Sequence, residues 1–393
     1  MERININGMN LSGCTVGITA GSQGINELSE IMKTVIEAVK GVGGIPIIIP
    51  AMGSHGGGTE EGQREVLNSL GITKEAMGAP VCACTESIQI GETQKGMPVF
   101  INREAAKVDR LILLYRIKQH TGFSGKIESG IHKIVTIGLG GPRGASTAHY
   151  YAMKYGYEEA ITSIAEVGIK KLPIIFAVGI LENWKGKTAQ ITAMLPEEIR
   201  EIEELMLEKD KAQTIKIPFS DIDVLIVGEI GKNVCSGGMD SKIVGRIRLL
   251  RQSEPENPKI NRIVVLNLTP ESHGNACGIG LADFIPRRVF EAINIDDTVF
   301  NCVTSMAPEY ACIPAILKND LEVLTAAVRT SCPESNEMAR IVYIKNTSRL
   351  EEIFVSESML EEVIDNKQLE IIGSPEKFMF DEKGDLINFK DVL

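Results

Sequence analysis

Short apolar runs alternate with amphipathic helical stretches through the first half of this chain, and several runs lead into glycine-rich turns. That alternation is the pattern of a parallel sheet with crossover helices. Thr15-Val16-Gly17-Ile18-Thr19 reads as a short strand ending in the turn Ala20-Gly21-Ser22-Gln23-Gly24. Leu28, Ile31, Met32, Val35, Ile36 and Val39 then recur at helical spacing, and Gly41 and Gly43 stop the helix. Ile45 to Ile49 is a second strand. Thr59 is an expected helix N-cap, with Glu60 and Glu61 in the first turn and Val66, Leu67 and Leu70 as the buried face. Arg110 to Tyr115 reads as a buried strand.

Four of the five histidines lie between residues 55 and 149. His55 sits in Gly53-Ser54-His55-Gly56-Gly57-Gly58, and His120 in His120-Thr121-Gly122-Phe123-Ser124-Gly125. His149 follows Gly140-Gly141-Pro142-Arg143-Gly144. Histidine titrates near neutrality and ligates metals as the neutral ring, while glycine lets backbone approach a ligand closely. One such histidine reads as an ordinary surface residue in a turn; three in glycine-rich turns at strand ends read as a reaction centre. His55 and His120 leave two strands in the same sense. Ligands in open α/β sheets bind beyond the carboxyl ends of the strands, so both histidines are expected to converge on one crevice, provided their strands are parallel neighbours.

At 393 residues the chain exceeds one ordinary core. Leu195-Pro196-Glu197-Glu198 opens a long charged helix running to about Asp210, and Pro218 to Asp221 forms a polar break. A second α/β series follows, with strands at Val224 to Val227 and Ile263 to Leu268, a helix from about Phe284 to Ile293, and short strands with acidic helix from Arg340. The expected architecture is two α/β domains, 1–215 and 216–393, with largely parallel sheets and an interdomain active-site cleft.

The net charge of −11 carries no basic tract that would bind nucleic acid or anionic lipid. The apolar run Leu172 to Leu181 contains a proline and is half the length a bilayer requires. The N-terminus lacks the apolar stretch of a signal peptide, so a cytoplasmic location is expected. Eight cysteines are scattered. Cys82-Ala83-Cys84 is one residue too tight for a zinc knuckle and reads as packed thiols on one strand face.

The residues alone leave several chemistries open. A zinc hydrolase would use His55, His120 and His149 as ligands, although closely spaced ligand pairs are absent. A nicotinamide dehydrogenase would use Ala20 to Gly24 as a phosphate loop, although the loop is not G-x-G-x-x-G. A helix N-terminus after Ser22, Gln23 and Gly24 remains able to hold a phosphate.

A third reading comes from likeness. Pro50 to Gly62, Ile117 to Gly125, Glu128-Ser129-Gly130-Ile131-His132-Lys133 and the later His149 together resemble the lactate racemase family of nickel-pincer nucleotide enzymes, most clearly over residues 15 to 150. Asp223 to Val227 and Glu229 to Asn233 are also similar to a branch described as lactate racemase domain-containing. The order His, His, Lys, His is the specific part; the glycine runs are not. The resemblance implies a racemase or epimerase of 2-hydroxy acids. It implies a nickel-pincer nucleotide attached covalently at Lys133, with His149 completing the nickel and His55 and His120 flanking the substrate as acid and base. The implied partners are a small 2-hydroxy acid and the proteins that make the cofactor. A same-fold protein that binds the cofactor or a hydroxy acid without turnover is the alternative.

The sequence departs from that family pattern. Ser129-Gly130-Ile131-His132 stands where the family has a glycine pair before the tethering lysine, which makes Lys126 a rival. His132 reads as a surface residue beside Lys133. Gln23 stands where relatives often carry arginine. A substrate carboxylate needs a cation, and Arg143, Lys232 and His273 are the candidates by position alone.

Overall fold

The computed structural model describes residues 4–22 and 24–389. It divides into two compact units, Met1–Thr214 and Ile215–Leu393. Both are α/β with largely parallel sheets.

The sheet of the first unit contains β1 (Thr15–Ala20), β2 (Ile45–Pro50), β5 (Arg110–Arg116), β6 (Ile174–Glu182) and β7 (Thr188–Met194). Their order is β2-β1-β5-β6-β7. β1 pairs in parallel with β2 and β5, β5 in parallel with β6, and β7 closes one edge antiparallel. A separate hairpin, β3 (Ser87–Glu92) and β4 (Pro98–Asn102), precedes β5. Strands β1 and β5 are buried along almost their whole length, as parallel strands covered on both faces must be.

One face is covered by α1 (Leu28–Gly41). Its buried residues are the six whose spacing predicts them: Leu28, Ile31, Met32, Val35, Ile36 and Val39. They pack on Val16, Ile18, Ile112 and Leu114. Next along the chain are α2 (Glu60–Ser69), a single turn α3 (Lys74–Met77) and α4 (Ile131–Lys133). α4 runs into a π-helical turn, Ile134–Gly138, and then α5 (Gly141–Tyr155), α6 (Tyr157–Lys171) and α7 (Ile199–Gln213). Leu111, Leu113, Ala177 and Leu181 meet Ile131, Ile134, Met206 and Leu207 on the opposite face. The buried side of α2 carries Gln63 and Leu67, whereas Val66 and Leu70 are only half-buried.

The second unit has a six-stranded sheet. In chain order its strands are β8 (Asp221–Val227), β9 (Lys259–Val265), β10 (Phe284–Pro286), β11 (Ala315–Leu317), β12 (Ile341–Ile344) and β13 (Phe354–Val355). The spatial order is β11-β10-β9-β8-β12-β13, parallel except for β13. The helix expected from Phe284 begins only at Arg287: Phe284–Pro286 is strand and α8 spans Arg287–Ala292. Pro286 accounts for this. It disfavours helical geometry in the residue before it and stands as the N-cap of α8. Helices α9 (Ile295–Thr304) and α10 (Asp320–Ser331) follow. No helix among the described residues is long and apolar enough to cross a membrane.

Candidate active site

His55 and His120 follow β2 and β5, the two parallel neighbours of β1. The strands are therefore parallel, as the crevice argument requires, but one strand stands between them. With neighbouring strands about 4.8 Å apart, the two strand ends lie about 10 Å apart. That gap is wide enough for a small organic ligand.

The His55 turn is held by close backbone contact. Gly53, Gly56, Gly57 and Gly58 all have φ between +60° and +67°, a region glycine enters without strain. Thr59 caps α2 by accepting the Gly62 N–H at 3.1 Å, and its hydroxyl donates to the Gly56 carbonyl, also at 3.1 Å. A Cβ on Gly62 would lie 1.9 Å from that carbonyl oxygen. Gly62→Ala must then push the His55 turn away from α2. We expect a loss of about 1–3 kcal/mol in urea unfolding, with turnover falling by more than the stability loss accounts for. The His55 ring is exposed, and its Nδ1 lies 2.9 Å from the Met52 carbonyl oxygen.

His120 rides on a loop closed at its base by an antiparallel bridge. There the Lys118 N–H donates to Ser129 O at 2.8 Å, and the Ser129 N–H donates back at 3.2 Å. Inside the loop lies Glu128, with a fully buried carboxylate. It accepts the His120 N–H at 2.7 Å and the Gly125 N–H at 3.2 Å, and pairs with Lys211 Nζ at 2.9 Å. Lys211 also donates to Gly125 O, and Asp210 Oδ2 accepts the Gln119 N–H at 2.8 Å. Burial raises the Asp210 carboxyl above its ordinary range, against the pull of the Gln119 N–H and of Lys118 and Arg116. The charged helix α7 thus fixes the His120 loop from behind. The His120 ring packs on Phe123 at 4.6 Å, and Phe123 stacks on Tyr157 at 5.1 Å.

Lys133 and His149 form the other part of the site. His149 is not in a turn: the glycines before it start α5, and His149 lies in that helix's third turn. Its ring meets the Tyr157 ring edge-on at 6.0 Å, while His120 lies 6.2 Å from the same tyrosine. Tyr157 therefore bridges the two histidines. Burial holds the His149 imidazole down to about 4, with the Lys133 charge adding to the effect. His149 is thus neutral at pH 7. Its Nδ1 is buried without a hydrogen-bond partner, an expensive state for a polar atom unless something else occupies it. Lys133 is half-buried, and its amine is lowered to about 8 by burial and by Lys118. It ends α4 where the chain enters the π-turn, an irregularity frequent at functional sites. Lys126, the rival tether, is exposed, and its backbone N–H donates to Glu158.

His132 is buried, not on the surface as the sequence suggests. Its N–H and Nδ1 lie 3.1 Å and 2.8 Å from Glu203 Oε2 on α7, itself buried. The pair clamps α4, and with it the backbone of Lys133, against α7. Truncation to Glu203→Ala strands a buried imidazole. Unfolding in denaturant should cost about 3 kcal/mol less, with a smaller loss for Glu203→Gln.

The remaining candidates are less well placed. Ser22 is half-buried and Gly24 exposed, and Gln23 lies outside the described residues. α1 starts only at Leu28, and the Asn26 N–H between loop and helix is taken by Glu182 Oε1 at 2.6 Å. The helix N-terminus therefore does not open directly onto the loop. Arg143 stacks its guanidinium on Phe100 at 4.2 Å. In the second unit, Lys232 follows β8 and donates to Ser236 O and Asn301 Oδ1 at 2.5 Å and 2.9 Å, and His273 is exposed with φ +48°. Among the described residues no three His, Cys, Asp or Glu side chains come together as a metal-binding group, which counts against a three-histidine zinc site.

The residues present suit a group anchored by one amine and one imidazole. Lys133 offers an amine of lowered basicity, and His149 a neutral ring with an unsatisfied buried nitrogen. His149 shares its contact with the Tyr157 ring with His120.

Residues 23–160 match the lactate racemase N-terminal domain family. The fold is similar to the lactate racemase apoprotein from Thermoanaerobacterium thermosaccharolyticum, with TM-score 0.53 and 13% identity over 86% of this chain and 87% of that one. A Thermotoga maritima protein solved by structural genomics is similar at TM-score 0.46 and 13% identity, over 65% of this chain and 67% of that one. No curated protein matches the chain.

Proposed function

We propose that the protein, whose residues 23–160 match the lactate racemase N-terminal domain family, is an isomerase that racemises or epimerises a 2-hydroxy acid. The observation that carries this reading is the pairing of Lys133 with His149. They lie close enough for the Lys133 charge to depress the imidazole, and His149 keeps an unpartnered buried nitrogen. A nickel-pincer nucleotide would be held there by the Lys133 amine and by the unpartnered ring nitrogen of His149, and nitrogen and sulfur ligands suit nickel. When bound, that group supplies a reversible acceptor for the substrate's α-hydrogen with its electron pair.

The chain's own residues do the rest. His55 and His120 flank the substrate from the two strand ends and handle its oxygen-bound proton. Ser22 and Gly24 follow β1, between those strand ends, where the cofactor phosphate would sit. Arg143 would hold the substrate carboxylate. Glu128, Asp210 and Lys211 keep the His120 loop in place, and His132 with Glu203 fixes the backbone of Lys133. The proteins that make and load the cofactor are the implied partners.

The test is a panel of single-enantiomer hydroxy acids, from lactate to malate-like diacids, sugar acids and aryl hydroxy acids. Each is incubated with protein produced alongside a nickel-pincer biosynthesis pathway and followed by chiral chromatography. Appearance of the opposite enantiomer from at least one is expected. Loaded protein that converts none would replace this reading with binding or carriage of the cofactor.

A further inference from the structure

We propose that two copies of this chain associate through the outer edge of β7, edge to edge and antiparallel about a two-fold axis. The inference is independent of the racemase reading and rests on how the sheet edges are finished.

An open sheet edge presents unpaired N–H and C=O groups and invites another chain, so proteins blunt it with prolines, charges, shortness or a covering segment. Three of the four edges of the two main sheets are treated in these ways. β2 contains Pro46 and Pro50. Its Ile48 is also paired by a passing segment: the Ile48 N–H donates to Pro80 O and the Cys82 N–H to Ile48 O, both at 2.8 Å. β11 has three residues and β13 has two. β7 runs for seven residues, Thr188–Met194, without a proline or a charge. Its irregularity lies at Ala189, opposite Leu181 and Glu182, and leaves residues 190–194 in regular register. Among the described residues no strand or bridge pairs with its outer side.

The surroundings of β7 suit a second copy rather than an unrelated strand. Ile191, at the strand's midpoint, is 46% exposed. With Ala193, Phe176, Val178, Ile31 and Val35 it lines an apolar cavity of about 300 Å³. A two-fold axis normal to the sheet at that midpoint sets the two Ile191 side chains opposite each other on one face, with Cβ atoms about 4.5–5.5 Å apart. The same axis brings the start of one β7 to the end of the other. Before the strand lie the exposed Trp184, Lys185 and Lys187, with Lys185 Nζ 4.7 Å from the Trp184 ring; after it lies the exposed Glu197. Lys185 stands as far before Ile191 as Glu197 stands after it. Antiparallel pairing therefore brings lysine to glutamate at both ends, whereas parallel pairing would set lysine against lysine. Each chain carries a net charge of −11 and repels its like. One strand per copy also makes a small interface, so a Kd of about 10 µM is expected.

The test is sedimentation velocity of the full chain over a concentration series spanning that Kd, where monomer should give way to dimer. Ile191→Lys puts two ammonium groups face to face and should raise Kd at least about 100-fold. Thermal unfolding of the variant should match wild type, because the side chain already meets solvent. Lys185→Glu should raise Kd about tenfold, and adding Glu197→Lys should restore it, since the exchanged charges meet again. That rescue reads the antiparallel register, which a weakened fold would not reproduce. A chain that stays monomeric far above about 10 µM would overturn the proposal. So would a dimer that Ile191→Lys leaves intact, or one that the charge exchange fails to rescue. If Ile191→Lys proves to unfold more easily than wild type, the charge exchange decides alone.

Discussion

Lys133→Ala should abolish both cofactor attachment and turnover while leaving the fold intact. Produced with the pincer pathway, the wild-type chain should show a mass addition that peptide mapping places at Lys133, and the variant should show none. The reason lies in the amine's surroundings. Lys133 is half-buried, and burial together with Lys118 lowers it to about 8. A noticeable share of neutral amine is therefore present at pH 7, unlike an ordinary lysine. Lys126 is exposed to solvent, where no buried pocket holds its amine for attachment. Lys126→Ala should therefore keep the addition. Because no packing depends on the Lys133 head group as a paired charge, the variant should unfold within about 1 kcal/mol of wild type. Loss of the addition in Lys126→Ala, with retention in Lys133→Ala, would move the tether and detach it from His149. An unmodified wild-type chain would remove covalent attachment from the scheme altogether.

Local periodicity made part of this molecule readable. The apolar positions of α1 recur at helical spacing because one stripe faces the sheet, and the same six residues are buried in the structure. β1, β2 and β5 are short β-branched and leucine-rich runs bounded by turns, which is what a two-sided buried strand looks like. From these strands the positions of His55 and His120 follow directly. The order β2-β1-β5 does not follow, because strand neighbourhood is set by long-range pairing with no local code.

What holds the site together was also out of reach. Glu203 reaches His132 across 71 residues, and Asp210 reaches Gln119 across 91. Nothing in the acidic pattern of α7 separates those two carboxylates from its solvated ones. Tyr157 is one of seven tyrosines and has no motif around it, yet it joins the His120 and His149 rings. His149 looked like a turn residue because glycines precede it. Those glycines instead begin α5, where Gly140 and Gly144 lie so close to the preceding turn and to each other that a Cβ on Gly140 would meet Thr136 O at 2.3 Å. Glycine marked close packing there, not a loop. His132 likewise stood next to a site lysine and proved to be its support.

His55→Gln should be the most damaging single change that leaves cofactor loading untouched. The ring is exposed, lies outside the main apolar clusters, and its Nδ1 contacts Met52 O in its own turn. Stability should therefore change by less than about 1 kcal/mol, and the mass addition at Lys133 should persist. Turnover should still fall by about 1,000-fold, because removing a positioned base costs about 100- to 10,000-fold. Glutamine matches much of the ring's size and can keep a donor toward Met52 O, but it offers no basic nitrogen near neutral pH. The measurement is kcat by chiral chromatography on fully loaded protein, alongside intact mass and thermal unfolding of the same sample. Full activity in loaded His55→Gln would sink the assignment of His55 as base. A loss of loading with the loss of activity would instead place His55 at the cofactor, and the gap of about 10 Å between the ends of β2 and β5 would then have to hold the nucleotide rather than the hydroxy acid.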